Sequence, residues 1–168
     1  LNYLNRRSKI GFLYRKFYLY PLIQKNLRNP VLDIGCGIGD YLRFNPQSIG
    51  IDINPYTIEQ LKRQGFKADL MRYNNIPKED NSFPSILLDN VLEHIEEPRP
   101  LLLDIYRVLQ SKGILMIGVP GLKGYKEDPD HKVFYSEQKL IRLAQSIGFI
   151  HTKTIITPLK CVHLSKYL

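Results

Sequence analysis

Three aspartates and a run of glycines carry the chemistry that can be read in this chain. Asp33-Ile34-Gly35-Cys36-Gly37-Ile38-Gly39 follows the apolar pair Val31-Leu32. Glycines let the backbone turn tightly and let a ligand lie against the main chain. The helix start beyond them offers N–H groups to a carboxylate. A dinucleotide fingerprint needs its third glycine at position 40, where Asp40 stands, and no Lys-Ser/Thr pair follows, which excludes a P-loop. Asp52 stands nineteen residues after Asp33 at the end of a second apolar run. A carboxylate there can accept both hydrogen bonds of a ribose diol. Asp69, seventeen residues further, ends a third run, where its oxygens suit an adenine amino group. A buried acid costs several kcal/mol unless it is partnered. Three such acids along one crevice therefore point to a cationic adenosine derivative as ligand.

A second group of residues could handle protons. His94 follows the fourth apolar run, and His131 lies in the polar stretch Asp128-Pro129-Asp130-His131-Lys132. Both carry an imidazole, the side chain most often used to pass protons, and Tyr125 belongs to the same stretch of chain as His131. For each, a structural or loop role stands beside the catalytic one. Asp128, Asp130 and His131 form one loop of mixed ligand types, and no metal is expected from it.

The elements that must position these groups alternate in type. Residues 3–28 read as helical, with Pro21 breaking or kinking the pattern. Strands are predicted at 31–34, 48–53, 66–71, 85–88 and 114–119. Ser85-Ile86-Leu87-Leu88 is apolar on both faces, as a central parallel strand requires. Between the strands, Asn54-Pro55 caps and opens a helix over 56–64 that Gly65 stops. A helix starting at Pro100 is closed by Ser111-Lys112-Gly113, and Ser136 caps one running to about Ile147, stopped by Gly148. Residues 149–157 and 161–167 read as two last strands, a hairpin around Pro158. Helical spacers force parallel pairing and right-handed crossovers. The expected fold is α/β: one doubly wound, mostly parallel sheet with helices on both faces and a ligand crevice at the carboxyl ends of the strands.

The 168 residues suit one domain over 1–168, with 1–28 as a leading helical segment. Hydrophobic residues at 43% and charged residues at 24% are ordinary globular usage. That excludes a disordered, collagen-like or disulfide-scaffold protein. No apolar run is long enough to span a membrane. Two cysteines, Cys36 and Cys161, make no framework, and no apolar stretch runs into a small-residue cleavage site, so a cytoplasmic location is expected. The net charge of +8 sits at the ends: residues 1–32 hold seven basic groups and no acid, residues 138–168 five and none, while the middle is net acidic. Basic ends either contact an anionic surface or simply form a solvated face.

Four stretches, VLDIGCGIGDYL (31–42), GIDINPYTIEQLK (50–62), FPSILLDNVLEHIEEPRPLLLDIYRVLQSKGILMIGVPG (83–121) and HKVFYSEQKLIRLAQSIGF (131–149), resemble class I S-adenosylmethionine-dependent methyltransferases. Within that family they are similar to the small-molecule, ubiquinone/menaquinone-biosynthesis-like type. The resemblance implies a Rossmann-like seven-stranded sheet whose last strand is antiparallel. It also implies S-adenosylmethionine as methyl donor, with S-adenosylhomocysteine as product. Carried over by position, Asp33, Gly35, Cys36, Gly37 and Gly39 line the methionyl end. Asp52 holds the ribose, Ile53 packs on the adenine, and Asp69 and Leu70 face its edge. Asn90 and Val91 lie under the methionyl part, and His94 closes the crevice near the methyl. The leading helix crosses the cofactor entrance, so that Tyr14 or Tyr18 touches the methionyl group or the acceptor; an interfacial helix on anionic lipid and a plain packed helix are the other readings of that segment.

This chain departs from the family pattern in three ways. Pro84 replaces the usual Asp before the fourth strand, Asn45-Pro46 cuts the first helix short, and the span 121–135 is brief. The short span suggests a bulky substrate, a macromolecule, or a partner that completes the site. The expected reaction is methyl transfer by in-line displacement to a small or lipid-like acceptor, in which alignment supplies ~7–11 kcal/mol of the barrier. Two rivals stand beside it: a nucleic-acid methyltransferase, and a non-catalytic S-adenosylmethionine-binding subunit. No N-P-P-Y-type motif follows the fourth strand, where Asp89-Asn90-Val91-Leu92 stands instead, and no stable nucleic-acid partner is expected.

Overall fold

The computed structural model describes residues 9–156 and 163–167. The chain begins with α1 (Lys9–Tyr14), a π-helical turn (Arg15–Leu19) and α2 (Tyr20–Gln24), which run on without a break. Pro21 lacks the N–H that an α-helix would use one turn back, and the π turn lies just before it. There the Tyr20 N–H reaches the Arg15 carbonyl five residues away. The expected kink at Pro21 is thus taken up as a widened turn.

The remaining elements are β1 (Val31–Ile34), α3 (Asp40–Phe44), β2 (Ile49–Asp52), α4 (Pro55–Arg63), β3 (Ala68–Leu70) and β4 (Phe83–Asp89), then a 3₁₀ turn (Leu92–His94), α5 (Arg99–Val108), β5 (Leu109–Pro120), α6 (Leu122–Glu127), α7 (Glu137–Gln145), β6 (Lys153–Ile156) and β7 (His163–Tyr167). The seven strands form one sheet in the order β3-β2-β1-β4-β5-β7-β6. The first five pair in parallel, and β7 runs antiparallel to both β5 and β6. The expected turn around Pro158, and Cys161, lie outside the described residues.

Several expectations shift in extent. The fourth strand is longer than its apolar run, and α5 ends at Val108, before Ser111-Lys112-Gly113. Those three residues belong to an irregular stretch of β5 in which the pairing with β4 slips and Lys112 takes a left-handed φ of 60°. α6 arises in the span read only as a brief connection. The caps hold as read. The Asn54 side chain accepts from the N–H groups of Tyr56 and Thr57, and Ser136 accepts from Lys139.

Alternation along the central strands sets the two layers. Leu32, Ile34, Ile86 and Leu88 face α5 and α7 through Leu102, Ile105 and Leu140. Val31 and Leu87 face the leading helix through Leu19, Tyr20 and Ile23. Each fully buried aliphatic side chain contributes roughly 1.5–3 kcal/mol, so both layers hold the sheet rigid beneath the site. The strand order reverses between β1 and β4, which opens a crevice at their carboxyl ends. Among the described residues no helix is long and apolar enough to cross a membrane.

Candidate active site

Three glycines after β1 adopt the left-handed backbone that favours glycine: Gly35 at φ 70°, Gly37 at 50° and Gly39 at 80°. Their surroundings differ. A Cβ on Gly35 would run into the Val91 side chain and one on Gly39 into Leu61, whereas one on Gly37 meets nothing within 4 Å. Gly35 and Gly39 therefore serve packing, and Gly37 presents bare backbone to open space. Four N–H groups of the turn are already committed. Those of Gly35 and Cys36 donate to the Ile51 carbonyl, that of Gly39 to Cys36, and that of Gly37 to Asp52 Oδ2 at 2.8 Å. A turn whose donors are satisfied internally makes a poor phosphate cradle.

Asp52 is held from both sides, with Oδ1 accepting from the Asn54 N–H at 2.8 Å. Each oxygen keeps a second lone pair for a diol. Beside it, at the tips of β2 and β3, Ile53 is 61% exposed and Leu70 48%, an apolar pair flanking the carboxylate. Asp69, one position before the tip of β3, differs in its partners, which are Lys78 at 2.8 Å and Lys62 at 3.4 Å. The hydrogen bond from Lys78, partly opposed by burial, holds the Asp69 carboxyl below its ordinary value. The register explains the difference: Asp69 stands opposite Ile51 and Leu70 opposite Asp52, so the Asp69 and Asp52 side chains leave opposite faces of the sheet.

Asp33 is buried, and that burial, then the charges of Asp89, Asp52 and Asp40, push its carboxyl well above the ordinary range. Asp89 ends β4, as Asp52 ends β2. One Asp89 oxygen is paired with Arg15 Nη1 at 3.1 Å, while the other is buried with no described donor. Gly118 on β5 makes room for this carboxylate, since a Cβ there would collide with Asp89 Oδ1. Burial by itself lowers the Arg15 guanidinium, but Asp89 and then Tyr20 more than reverse this and hold it above its usual value.

Asp89 and Arg15 are functional candidates that the sequence reading missed. Asp89 carried the same signal as the other acids, a carboxylate closing an apolar strand. Arg15 carried none, because seven basic residues in the first 32 look alike. Tyr14, expected at the methionyl group, stacks on Tyr18 with centroids 5.4 Å apart and packs against the Leu19–Tyr20 cluster. Cys36 likewise turns its thiol inward against Gly50, where burial pushes its pKa up, so it offers the crevice backbone only.

Past β4, Asn90 takes a left-handed φ of 54°, its N–H donates to the Gly118 carbonyl, and its side-chain nitrogen is buried with no described partner. Val91 then fills the space above Gly35. The 3₁₀ turn that follows brings Glu93 and His94 against the loop after α6. The Lys132 and Val133 N–H groups donate to the Glu93 carbonyl at 2.7 and 3.0 Å. The rings of His94 and His131 lie 4.8 Å apart, and Tyr125 stacks on His131 at 5.6 Å. His131 Nδ1 meets the Tyr125 carbonyl at 2.9 Å. A carbonyl only accepts, so that nitrogen donates, and in the neutral ring Nε2 is left with its lone pair. The Glu93 carboxyl is buried beneath. Burial, with lesser contributions from Asp89 and Asp128, raises its pKa to about 8. His94, His131 and Tyr125, more than thirty residues apart in part, are thus brought together.

A family model described as a methyltransferase domain matches residues 32–117. An uncharacterized protein of Methanocaldococcus jannaschii is 27% identical over 140 residues, covering 77% of this chain and 68% of that one. A probable tRNA methyltransferase 9B of Homo sapiens is 32% identical over 94 residues, covering 53% of this chain and 21% of that one. Two further curated relatives are matched over only 29% and 40% of their length. Among solved structures, a SAM-dependent methyltransferase from Thermotoga maritima, a possible histamine N-methyltransferase, superposes with a TM-score of 0.75 at 19% identity, covering 99% of this chain and 90% of that one. With its β3-β2-β1-β4-β5-β7-β6 sheet, glycine turn and matching family model, the chain belongs to the class I S-adenosylmethionine-dependent methyltransferases, and S-adenosylmethionine is its methyl donor.

Proposed function

We propose that this protein transfers a methyl group to a small or lipid-like acceptor. The observation that carries this reading is the closeness of two half-sites: the acids at the ends of β1, β2 and β4, and, just past β4, the histidine pair over Glu93, whose carboxyl feels the Asp89 charge. The residues present fit the donor. Gly37 leaves backbone bare, Asp52 suits a ribose diol between exposed Ile53 and Leu70, and Asp33 suits a cation, its burial being costly without one. Asp33, Gly37, Asn90 and Val91 would hold the methionyl part. Gly35, Gly39 and the Cys36 backbone shape the turn. When bound, the donor supplies an activated methyl carbon for in-line displacement.

The chain's own residues would then align the acceptor and accept its proton. His131 Nε2 is the proton acceptor in this reading, with the ring orientation held by the Tyr125 carbonyl and by stacking on Tyr125. His94, more exposed, lines the entrance. A lipid-like acceptor is favoured by the leading helix. Phe12, Leu13, Phe17 and Tyr18 are exposed on it, Phe17 at 69%, beside Lys16, and the same helix sends Arg15 into the crevice. Apolar residues with basic neighbours suit an anionic interface.

An RNA acceptor is the second reading. The human relative's name and the basic ends favour it. Incubation of the protein with methyl-labelled donor and separated lipid, small-metabolite and RNA fractions tests the choice. Label in the lipid or metabolite fraction supports the first reading. Label in RNA, with salt-sensitive RNA binding, replaces it with the second, and tight donor binding without transfer to any fraction refutes both.

A further inference from the structure

We propose that Glu93, His131 and Asp128, closed by His94, form a binding site for a divalent transition-metal ion of the Zn²⁺ class. No metal was expected from the sequence, because Asp128, Asp130 and His131 alone are one loop of mixed ligands. The fold adds Glu93 and His94 from the other side of the crevice. One ligand atom from each of Glu93, His94 and His131 falls within 4.8 Å of the others. His131 Nε2 lies 3.9 Å from Glu93 Oε1 and 3.8 Å from Asp128 Oδ2. Ligand atoms bonded to one ion at about 2.0–2.2 Å stand roughly 3.3–3.6 Å apart in a tetrahedron. These pairs therefore need to close by only a few tenths of an ångström.

Three further features point to a cation. Both histidines present Nδ1 to a backbone carbonyl, His131 to Tyr125 at 2.9 Å and His94 to Asp130 at 3.3 Å. This is the outer hydrogen bond that orients metal-binding imidazoles and leaves Nε2 as the ligand atom. The Glu93 side chain is only 1% exposed, and no other described residue donates a hydrogen bond to either of its oxygens. A buried carboxyl stays neutral unless a pair or a metal holds its charge, no guanidinium or ammonium pairs with Glu93 among the described residues, and a bound cation would supply that charge. The donor set also selects the ion. Imidazole nitrogen with carboxylate oxygen suits Zn²⁺, Co²⁺, Ni²⁺ or Mn²⁺, whereas Ca²⁺ and Mg²⁺ take oxygen alone. The site is rigid, because the Glu93 carbonyl holds the opposite loop through Lys132 and Val133.

The site goes beyond the proposed methyl transfer and does not depend on it. A metal on His131 Nε2 would occupy the lone pair that otherwise takes a proton, so filling it would inhibit transfer. The test reads binding with neither donor nor acceptor present. The full chain, stripped with a chelator, is titrated with Co²⁺ while its visible ligand-field bands are followed, and Zn²⁺ is then added in competition. One equivalent of Co²⁺ with resolved bands, displaced by Zn²⁺, and a raised melting temperature with Zn²⁺ are expected. Glu93→Gln and His131→Gln should remove the bands, and His94→Ala, at an exposed position, should weaken binding at least tenfold. If Glu93→Gln fails to fold, His94→Ala and Asp128→Asn still decide. No saturable bands in the parent protein, or binding unchanged in every folded variant, overturns the site and leaves the methyl-transfer reading standing. Intact binding without methyl transfer to any fraction has the opposite meaning.

Discussion

Replacing Asp52 by alanine should separate what this carboxylate does for the fold from what it does for the donor. Its oxygens accept the N–H groups of Gly37 and Asn54, both at 2.8 Å. Hydrogen bonds to a charged group contribute ~1.5–3 kcal/mol each. Asp52 is half-exposed, so the lower end applies with a discount for solvent, about 2–3 kcal/mol for the two. At ~2–4 °C per kcal/mol for a chain of this size, the melting temperature should fall by roughly 4–12 °C. Two ribose hydroxyls lost at about 1.5 kcal/mol each amount to ~3 kcal/mol, or about 150-fold in donor affinity. Asn54→Ala is the control. It removes the cap of α4 at about 1 kcal/mol, leaves the Asn54 N–H in place, and should leave donor affinity unchanged. Calorimetric titration with S-adenosylmethionine and thermal melts of the three proteins give both numbers. If Asp52→Ala melts as calculated yet binds the donor within threefold of the parent, the ribose is held elsewhere and the reasoning fails.

Other substitutions test the neighbouring groups. Gly37→Ala places its Cβ in open space at a left-handed φ; it should cost the free protein only ~1–2 kcal/mol while weakening the donor by tenfold or more, and equal losses in melts and titrations would show that the open face is not a binding face. Asp33 has a folded-state pKa above its unfolded one, so the unfolded chain holds fewer protons across that window and stability falls as pH rises through it. Asp33→Asn should flatten this slope in pH-dependent melts, raise the melting temperature of the donor-free protein at neutral pH and weaken the donor; a lower melting temperature at neutral pH would contradict the account. Arg15→Ala strands the buried Asp89 carboxylate and should cost ~3–5 kcal/mol, with much of that recovered in Arg15→Ala/Asp89→Asn; additive losses in denaturant unfolding would show that the pair is not coupled.

Much of the glycine turn and its flanking acids was legible in the sequence, because their determinants are local. A glycine that must take a positive φ, an acid at the tip of an apolar run, and an Asn-Pro pair at a helix start each act within a few residues. Asp33, Gly37, Asp52 and the caps at Asn54 and Ser136 could therefore be named before any fold was known. The mostly parallel, doubly wound sheet also followed, since helical spacers between strands force parallel pairing, whereas the strand order itself was read only from the structure. Residues whose partners are distant in the chain were not legible in this way. Asp69 looked like Asp52 until Lys62 and Lys78 were seen to hold it, and Arg15 looked like any surface base until it was found against Asp89. Glu93 drew no notice within the stretch after the fourth strand, yet its burial under His131 depends on a loop that begins more than thirty residues later. Spacing fixes which way a backbone turns, because torsions are set by adjacent atoms. Which charge meets which, and whether water lies between, depends on contacts across the chain, and these only the assembled layers decide.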